Sequence, residues 1–281
     1  MPTILYEPNQ RAKMGWLKTW ETMFLNILQS RELIWQLFRR DFFMAYKKSF
    51  IGFSWIFITP IMGIVSWVFY NATGILQPGD VGIPYPAYVL LSSSIYGLWG
   101  SFQAAASNTL TAGNGFINQV SYPHDVLLIK ETMLQIANFL ISFVINIIVL
   151  ICFGVVPSWM IILFPILVLP LFFLGSAIGL IICIVSVVAQ DISKLANYAL
   201  GLIMFITPVI YSPKVASPLL QKIIVYNPLT YLLGGCRDAI LYGHITHLKQ
   251  YLFFSVCTFV FFLIAWRVFY VTEQKVIEKM L

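Results

Sequence analysis

Five stretches of this sequence contain no Asp, Glu, Lys or Arg, and they limit what the chain can fold into. They cover residues 49–79, 81–124, 132–190, 195–213 and 250–266. About twenty apolar residues cross a bilayer as a helix, so each stretch holds one span, and the longest holds two. With 59% apolar and 10% charged residues, against roughly 25% charged residues in soluble domains, the sequence predicts a polytopic membrane protein.

The predicted fold class is all-α, with six transmembrane helices. Pro157 and Ser158 divide the longest stretch. The helices are placed near 51–76, 88–110, 134–156, 160–188, 195–212 and 250–271. Residues 1–281 form a single transmembrane domain, in which 12–48 are cytoplasmic interfacial and connecting helices, 49–271 the six-span bundle and 212–249 an outer re-entrant segment.

An amphipathic helix is predicted from Gly15 to Gln29. Seven apolar residues share one helical face there, namely Trp16, Leu17, Trp20, Met23, Phe24, Ile27 and Leu28. Two tryptophans with basic residues nearby are typical of a helix in the membrane interface. Packing of the same face on the protein itself is the alternative.

The distribution of Lys and Arg predicts the orientation. Eight basic residues precede the first span, Lys130 and Lys194 lie in the second and fourth loops, and Lys275 and Lys279 close the chain. The first and third loops have none, so both termini are expected in the cytoplasm. The net charge of +6 then reflects topology and anionic lipid headgroups, and it requires no nucleic acid.

The segment VYNPLTYLLGGCRDAIL is too short and too interrupted to be a further span. Fourteen uncharged residues separate Lys222 from Arg237, and Pro228 lies among them. Two short helices that dip into the membrane fit this pattern, and such interrupted backbone is tolerated where it lines a wet cavity. We expect an outer gate here, with Arg237 and Asp238 at the outer interface, formed by Asn227, Pro228, Arg237 and Asp238.

Two further patterns lie within the spans. A stripe of aromatic and polar side chains follows one face of the second span, comprising Tyr88, Ser92, Tyr96, Trp99 and Gln103. Flat faces with hydrogen-bonding groups suit sugar rings, which predicts a substrate pathway, and burial between helices is the competing interpretation. Gly175 and Gly179 form a GxxxG pattern that predicts close helix packing, within one protomer or between two.

The sequence lacks the motifs of an enzyme. No lysine follows a glycine, so the chain has no GxxxxGK[ST] phosphate loop, and GxSxG, HExxH and GxGxxG are also absent. No predicted span core carries Asp or Glu. His244 and His247 without acidic neighbours are better explained as solvated residues than as a metal site. We predict no catalytic residue, no metal and no cofactor bound by this chain.

The start of the first predicted span carries Tyr46, Lys47, Ser49, Gly52, Trp55 and Pro60. In this pattern, and in three later segments, the chain resembles the membrane subunits of ABC-2 type polysaccharide and polyol-phosphate exporters. SYPHDVLLIKE, QDISKL with TPVIYSP, and NPLTYLLGGCRDAIL follow in the family's order. The chain departs from the pattern at His124 and Gln190, where the family tends to have arginine.

The resemblance implies a homodimer with two copies of a separate ATP-binding subunit, which would bind ATP and Mg²⁺. Tyr122, Pro123, His124 and Asp125 would form a short helix that couples the chain to that ATPase. The substrate would be an undecaprenyl-type lipid-linked glycan of the O antigen, capsule or teichoic acid type. The chain would lie in the cytoplasmic (inner) membrane of a bacterium, and Arg237 would meet a phosphate or reach the headgroups.

Two alternatives remain open at the level of sequence. The first keeps the ABC-2 architecture but exports a drug or a lipid. The second is a membrane-embedded glycosyl or acyl transferase, which the absence of a catalytic constellation disfavours.

Overall fold

The computed structural model describes residues 15–47, 52–74, 79, 81–110, 125–213 and 217–278. Within these ranges all regular structure is helical and there is no strand, which confirms the all-α class. Short 3₁₀ turns lie at Gly52–Ser54 and Trp159–Leu163. The α-helices of the described residues are α1 (Trp16–Gln29), α2 (Arg31–Lys47), α3 (Trp55–Ala72), α4 (Tyr85–Ser107), α5 (Asp125–Cys152), α6 (Phe164–Leu167), α7 (Leu169–Val188), α8 (Gln190–Ile206), α9 (Pro218–Tyr226), α10 (Pro228–Tyr242) and α11 (Leu248–Glu278).

Three helical runs in the described part of the chain are long and apolar enough to cross a membrane. They are Val126–Cys152, Trp159–Ser186 and Leu248–Thr272. Many of their large apolar side chains face outward, such as Val144 at 59% and Phe253 at 63% exposure. Apolar surface of this extent requires cover by lipid or by protein. The count of six crossings stays a prediction.

Helices occupy all six predicted spans, but several boundaries differ. The fifth helix covers Gln190–Ile206 rather than 195–212, and the sixth ends at Glu278 rather than near 271. The third helix begins at Asp125 rather than near 134, because Val126 and Leu127 are buried against α2 and extend the helix. The fourth is divided, since Pro165 and Pro170 each lie in the first turn of a new helix, where a missing N–H costs nothing.

Helix α4 forms the centre of the bundle. In one half, Ile95 and Trp99 belong to a cluster that includes Leu232 of α10. In the other half, Ala106 belongs to a cluster with Phe269 of α11. Tyr251 near the start of α11 also belongs to the first cluster, so α11 contributes to both clusters, whereas α10 contributes to the first.

The amphipathic helix predicted from 15 to 29 is present as α1. Met23 is fully buried, and Trp20 Nε1 donates to the Leu263 carbonyl oxygen of α11 at 3.4 Å. Leu17 and Phe24 on the same apolar side remain 80% and 59% exposed. Helix α1 thus packs on the protein through part of its apolar face, and the remainder is free for the membrane interface predicted from the sequence.

Candidate functional site

The outer segment contains the two short helices α9 and α10, which meet at Asn227. The Asn227 side chain accepts a hydrogen bond from the Leu229 N–H at 3.0 Å and donates to Thr207 Oγ1 at 2.8 Å. Pro228 occupies the first position of α10, where its missing N–H leaves no helical bond unmade. The interruption in the sequence is therefore a capped turn, tied to the segment that follows α8.

This hairpin (Pro218–Tyr242) lies along α4. At one end, Arg237 donates a hydrogen bond to Tyr88 near the start of α4. At the other end, Tyr226 and Asn227 line a cavity together with Trp99. Tyr88 and Trp99 are eleven residues apart in one helix, which corresponds to about 16 Å at 1.5 Å per residue. The turn of the hairpin thus lies beside a more C-terminal part of α4 than Arg237 does.

Arg237 and Asp238 form a buried network with Tyr88. The two charged residues are 7% and 8% exposed. Arg237 Nη1 donates to the Tyr88 hydroxyl at 2.6 Å and to the Pro208 carbonyl at 3.3 Å, and its Nη2 lies 3.3 Å from Asp238 Oδ1. Asp238 Oδ2 accepts from the Thr246 hydroxyl at 2.6 Å. Each charge is therefore compensated inside the protein, as burial requires.

The expectation that Arg237 reaches the lipid headgroups is wrong. Its side chain extends inward to α4, where hydroxyl, carbonyl and carboxylate oxygens replace water as partners. Sequence reasoning missed this because Tyr88 and Arg237 lie 149 positions apart. The aromatic stripe and the outer gate, predicted separately, meet at this pair of residues.

The stripe on α4 faces other helices of the same chain. Four of its members are buried and Tyr96 is partly buried, the full set being Tyr88, Ser92, Tyr96, Trp99 and Gln103. Tyr96 donates to the Leu200 carbonyl at 2.9 Å, and Gln103 Nε2 donates to Asn197 Oδ1 at 3.1 Å. Packing against α8 therefore accounts for much of the pattern, and contact with substrate stays a prediction.

Gly175 and Gly179 permit the close approach of α7 to α4. A Cβ atom added at Gly175 would lie 2.8 Å from the Trp99 carbonyl oxygen. One added at Gly179 would lie 2.6 Å from the Ala106 Cβ and closer still to the Gln103 carbonyl oxygen. Side-chain atoms essentially never approach within 3.0 Å in this way. The GxxxG contact described here lies inside one chain.

The residues predicted to couple the chain to an ATPase are only partly visible. Tyr122, Pro123 and His124 lie outside the described residues, and Asp125 is the first residue of α5. The sequence analysis did not single out the ion pair that follows, in which buried Lys130 of α5 donates to Asp41 of α2 at 2.9 Å. No local signal connects two residues 89 positions apart.

Asp41 also receives a hydrogen bond from Arg40 at 2.7 Å. Burial acts to raise the pKa of the Asp41 carboxyl, but the hydrogen bonds and charges of Arg40 and Lys130 outweigh it and lower the pKa below its usual value. Lys130 contacts the carboxylate of Glu131 as well. Apolar contacts of Ile34 with the first turns of α5 complete the junction. The N-terminal helices are thereby fixed to the helix that follows the predicted coupling loop.

Comparison with known proteins gives a family match over most of the chain. Residues 32–241 match the ABC-2 type transporter family. That range includes α2 through nearly all of α10, and hence both the stripe and the hairpin.

Three curated proteins named O-antigen export system permease protein RfbA are similar to this chain. The one from Myxococcus xanthus is 24% identical over 220 residues, which cover 78% of this chain and 83% of the relative. Two from Klebsiella pneumoniae are 20% and 22% identical over 223 and 219 residues. They cover 77% and 75% of this chain, and 83% and 81% of the relatives.

Proposed function

The chain belongs to the ABC-2 type transporter family, and from that premise we propose that it is the membrane subunit of an ATP-driven exporter. Its substrate is a lipid-linked polysaccharide of the O antigen, capsule or teichoic acid type. The names of three similar proteins, all O-antigen export permeases, support this class of substrate. The chain acts as a homodimer that encloses the passage.

The observation that carries the proposal is the hairpin beside α4. The capped turn at Asn227 lies beside a more C-terminal part of α4 than Arg237 does, and this position supports a re-entrant gate. Backbone interrupted at membrane depth is stable where protein or water covers its polar groups. The hairpin thus serves as the outer gate, and the stripe from Tyr88 to Gln103 borders the route of the sugars.

ATP hydrolysis belongs to a separate subunit, because this sequence has no phosphate loop. Two copies of that ATPase bind the homodimer on its cytoplasmic side, and they hold ATP and Mg²⁺. The loop before α5 and the helices α1 and α2 form the docking surface. The ion pair of Lys130 with Asp41 supports this role, since it joins α2 to the helix that the loop leads into.

A gene deletion tests the export function. Loss of this chain should remove the surface polysaccharide, while lipid-linked polymer accumulates on the cytoplasmic side. The wild-type gene should restore export, and a hydrolysis-deficient ATPase partner should reproduce the deletion. Normal surface glycan in the deletion strain would contradict the proposal and favour export of a drug or a lipid instead. Turnover of a glycosyl or acyl donor by the purified chain alone would favour a transferase.

A milder variant tests the pathway role of the stripe. Trp99 is 2% exposed, so an alanine would remove packing as well as any substrate contact. Trp99→Phe keeps an aromatic ring and most of the volume, and it should slow export at an unchanged amount of protein in the membrane. An unchanged export rate would reduce Trp99 to a packing residue.

The proposed topology has six spans, a re-entrant hairpin and both termini in the cytoplasm of a bacterial inner membrane. It is testable with single cysteines in a cysteine-free background. Thr73, just after α3, and Lys194, near the start of α8, are exposed residues on opposite predicted sides of the membrane. A membrane-impermeant maleimide should label Thr73→Cys in intact cells and Lys194→Cys only after lysis. The reverse pattern would overturn the orientation.

A further inference from the structure

A second cavity beside the hairpin is lined by the polar network of Tyr88, Arg237 and Asp238. It measures about 430 Å³ and is bordered by α4, the segment after α8, and both helices of the hairpin. This volume falls in the range of about 300–1,000 Å³ typical of small-molecule sites. The buried residues Tyr88, Arg237 and Asp238 form its floor, and the exposed residues Tyr242 and Thr246 form its rim. The cavity is therefore open to solvent but ends on fixed charges.

The hydrogen-bond capacity of the floor is only partly used. A guanidinium group has five N–H donors. Within the described residues Arg237 uses four of them, two from Nη1 to Tyr88 and Pro208 and one each from Nε and Nη2 to Asp238. Asp238 Oδ2 accepts from Thr246 and retains one lone pair. Within the described residues, one donor of Arg237 and one acceptor site of Asp238 thus remain without a protein partner.

The wall of the cavity adds aromatic residues. Tyr231 and Tyr242 contribute rings to the same wall. At Gly234, an added Cβ would lie 3.8 Å from Arg237 Nη2, so the glycine leaves the guanidinium uncovered.

We propose that this cavity binds a neutral sugar unit of the exported glycan, an assignment that rests on the proposed function. Vicinal hydroxyls both donate and accept, and so they match the remaining N–H of Arg237 and the free lone pair of Asp238. The apolar face of a sugar ring lies against tyrosine rings. A phosphate fits less well, because Asp238 already neutralises Arg237 and would face the anion.

The site gives the hairpin a second role besides that of a gate. The sugar bonds to α10 through Arg237 and Asp238, and Tyr88 of α4 holds that arginine in place. A glycan unit leaving the passage is thus bound where the hairpin meets the bundle. Its binding surface lies within one protomer and needs no residue of a second copy.

The test measures binding with the full-length chain in lipid nanodiscs, without the ATPase. The probes are methyl glycosides of glucose, galactose and mannose, and inorganic phosphate. Their binding is measured by saturation-transfer difference NMR. At least one glycoside should give a saturable signal. Gly234→Leu fills the cavity and should abolish the signal.

Gly201→Leu is the matched control, since nothing lies within 4 Å of a Cβ at that helical glycine. It should leave the glycoside Kd unchanged. Three outcomes would overturn the site: no saturable signal from any glycoside, glycoside binding that survives Gly234→Leu, or displacement of the glycoside by phosphate. The assay involves no transport, so a chain that exports polysaccharide but fails it keeps its proposed function and loses only this site.

Discussion

The contact between α7 and α4 predicts that one methyl group at Gly179 destabilises the protein. The new Cβ would lie 2.6 Å from the Ala106 Cβ and 3.0 Å from the Ser107 nitrogen. Ordinary contacts begin near 3.4 Å, so the two helices would have to separate by several tenths of an ångström. The opposing atoms include backbone, which cannot rotate out of the way as the end of a flexible side chain can.

The magnitude follows from two opposing terms. Overpacking of a dense core costs about 1–3 kcal/mol, whereas alanine is favoured over glycine within a helix by about 1 kcal/mol. Gly179→Ala should therefore destabilise the chain by up to about 2 kcal/mol. Gly201→Ala makes the same chemical change in open space, and it should stabilise the chain by up to about 1 kcal/mol.

The difference between the two variants isolates the steric cost. Because the helix preference for alanine appears in both, subtraction leaves about 1–3 kcal/mol for the contact. Unfolding in mixed micelles with increasing SDS, monitored by tryptophan fluorescence, gives both free energies against wild type. If Gly179→Ala unfolds together with Gly201→Ala, the close approach of α7 to α4 is refuted. If Gly179→Ala instead lowers only the fraction of dimer, the contact lies between protomers.

Two further predictions concern the buried ion pairs. Arg237→Met leaves the Asp238 carboxylate buried without its partner and should destabilise the chain by about 3–5 kcal/mol. Replacing both residues, Arg237 with Met and Asp238 with Leu, should destabilise it less. Equal losses of stability in thermal unfolding would show that the two residues are not coupled. Lys130→Met should cost about 1–3 kcal/mol at neutral pH. The pKa of Asp41 is lowered in the folded state, so the stability that its ion pair with Lys130 contributes is present above the unfolded-state pKa of about 3.9. It is lost as the pH falls through the folded-state pKa. The free energies of unfolding of wild type and variant should therefore become equal in acid. If the stabilities of wild type and Lys130→Met still differ in acid, the ion pair with Asp41 is not the cause of the difference.

The helices were predictable because the bilayer imposes a length on charge-free sequence. Each of the six stretches predicted to span the membrane falls on a helix, and Pro228 begins α10 where the sequence indicated a break. Local rules of this kind need only neighbouring residues. Such rules did not predict the start of α5, because Val126 and Leu127 are buried there by α2, which is far away in sequence.

The partners of the site residues were not predictable from one sequence. The stripe on α4 shares a face, as its spacing indicated, but spacing does not say what covers that face. The structure adds Asn197 and Leu200 of α8. Likewise an arginine followed by an aspartate is typical of a surface as well as of a buried pair. Only the fold brings Tyr88 close to Arg237, and this hydrogen bond helps to compensate the cost of burying the guanidinium charge.

The hydroxyl of Tyr88 joins three separate parts of the molecule at one atom. It accepts from Arg237 and lies 3.3 Å and 3.2 Å from the carbonyl oxygens of Pro208 and Tyr211. A single proton can serve only one of those carbonyls at a time. Outward movement of Arg237 would break its hydrogen bonds to Tyr88 and Pro208 together. Intermediate positions of the hairpin would therefore be unstable. The proposed gate should therefore switch between two positions, and single-molecule distance measurements between α4 and α10 should show two populations with few molecules between them.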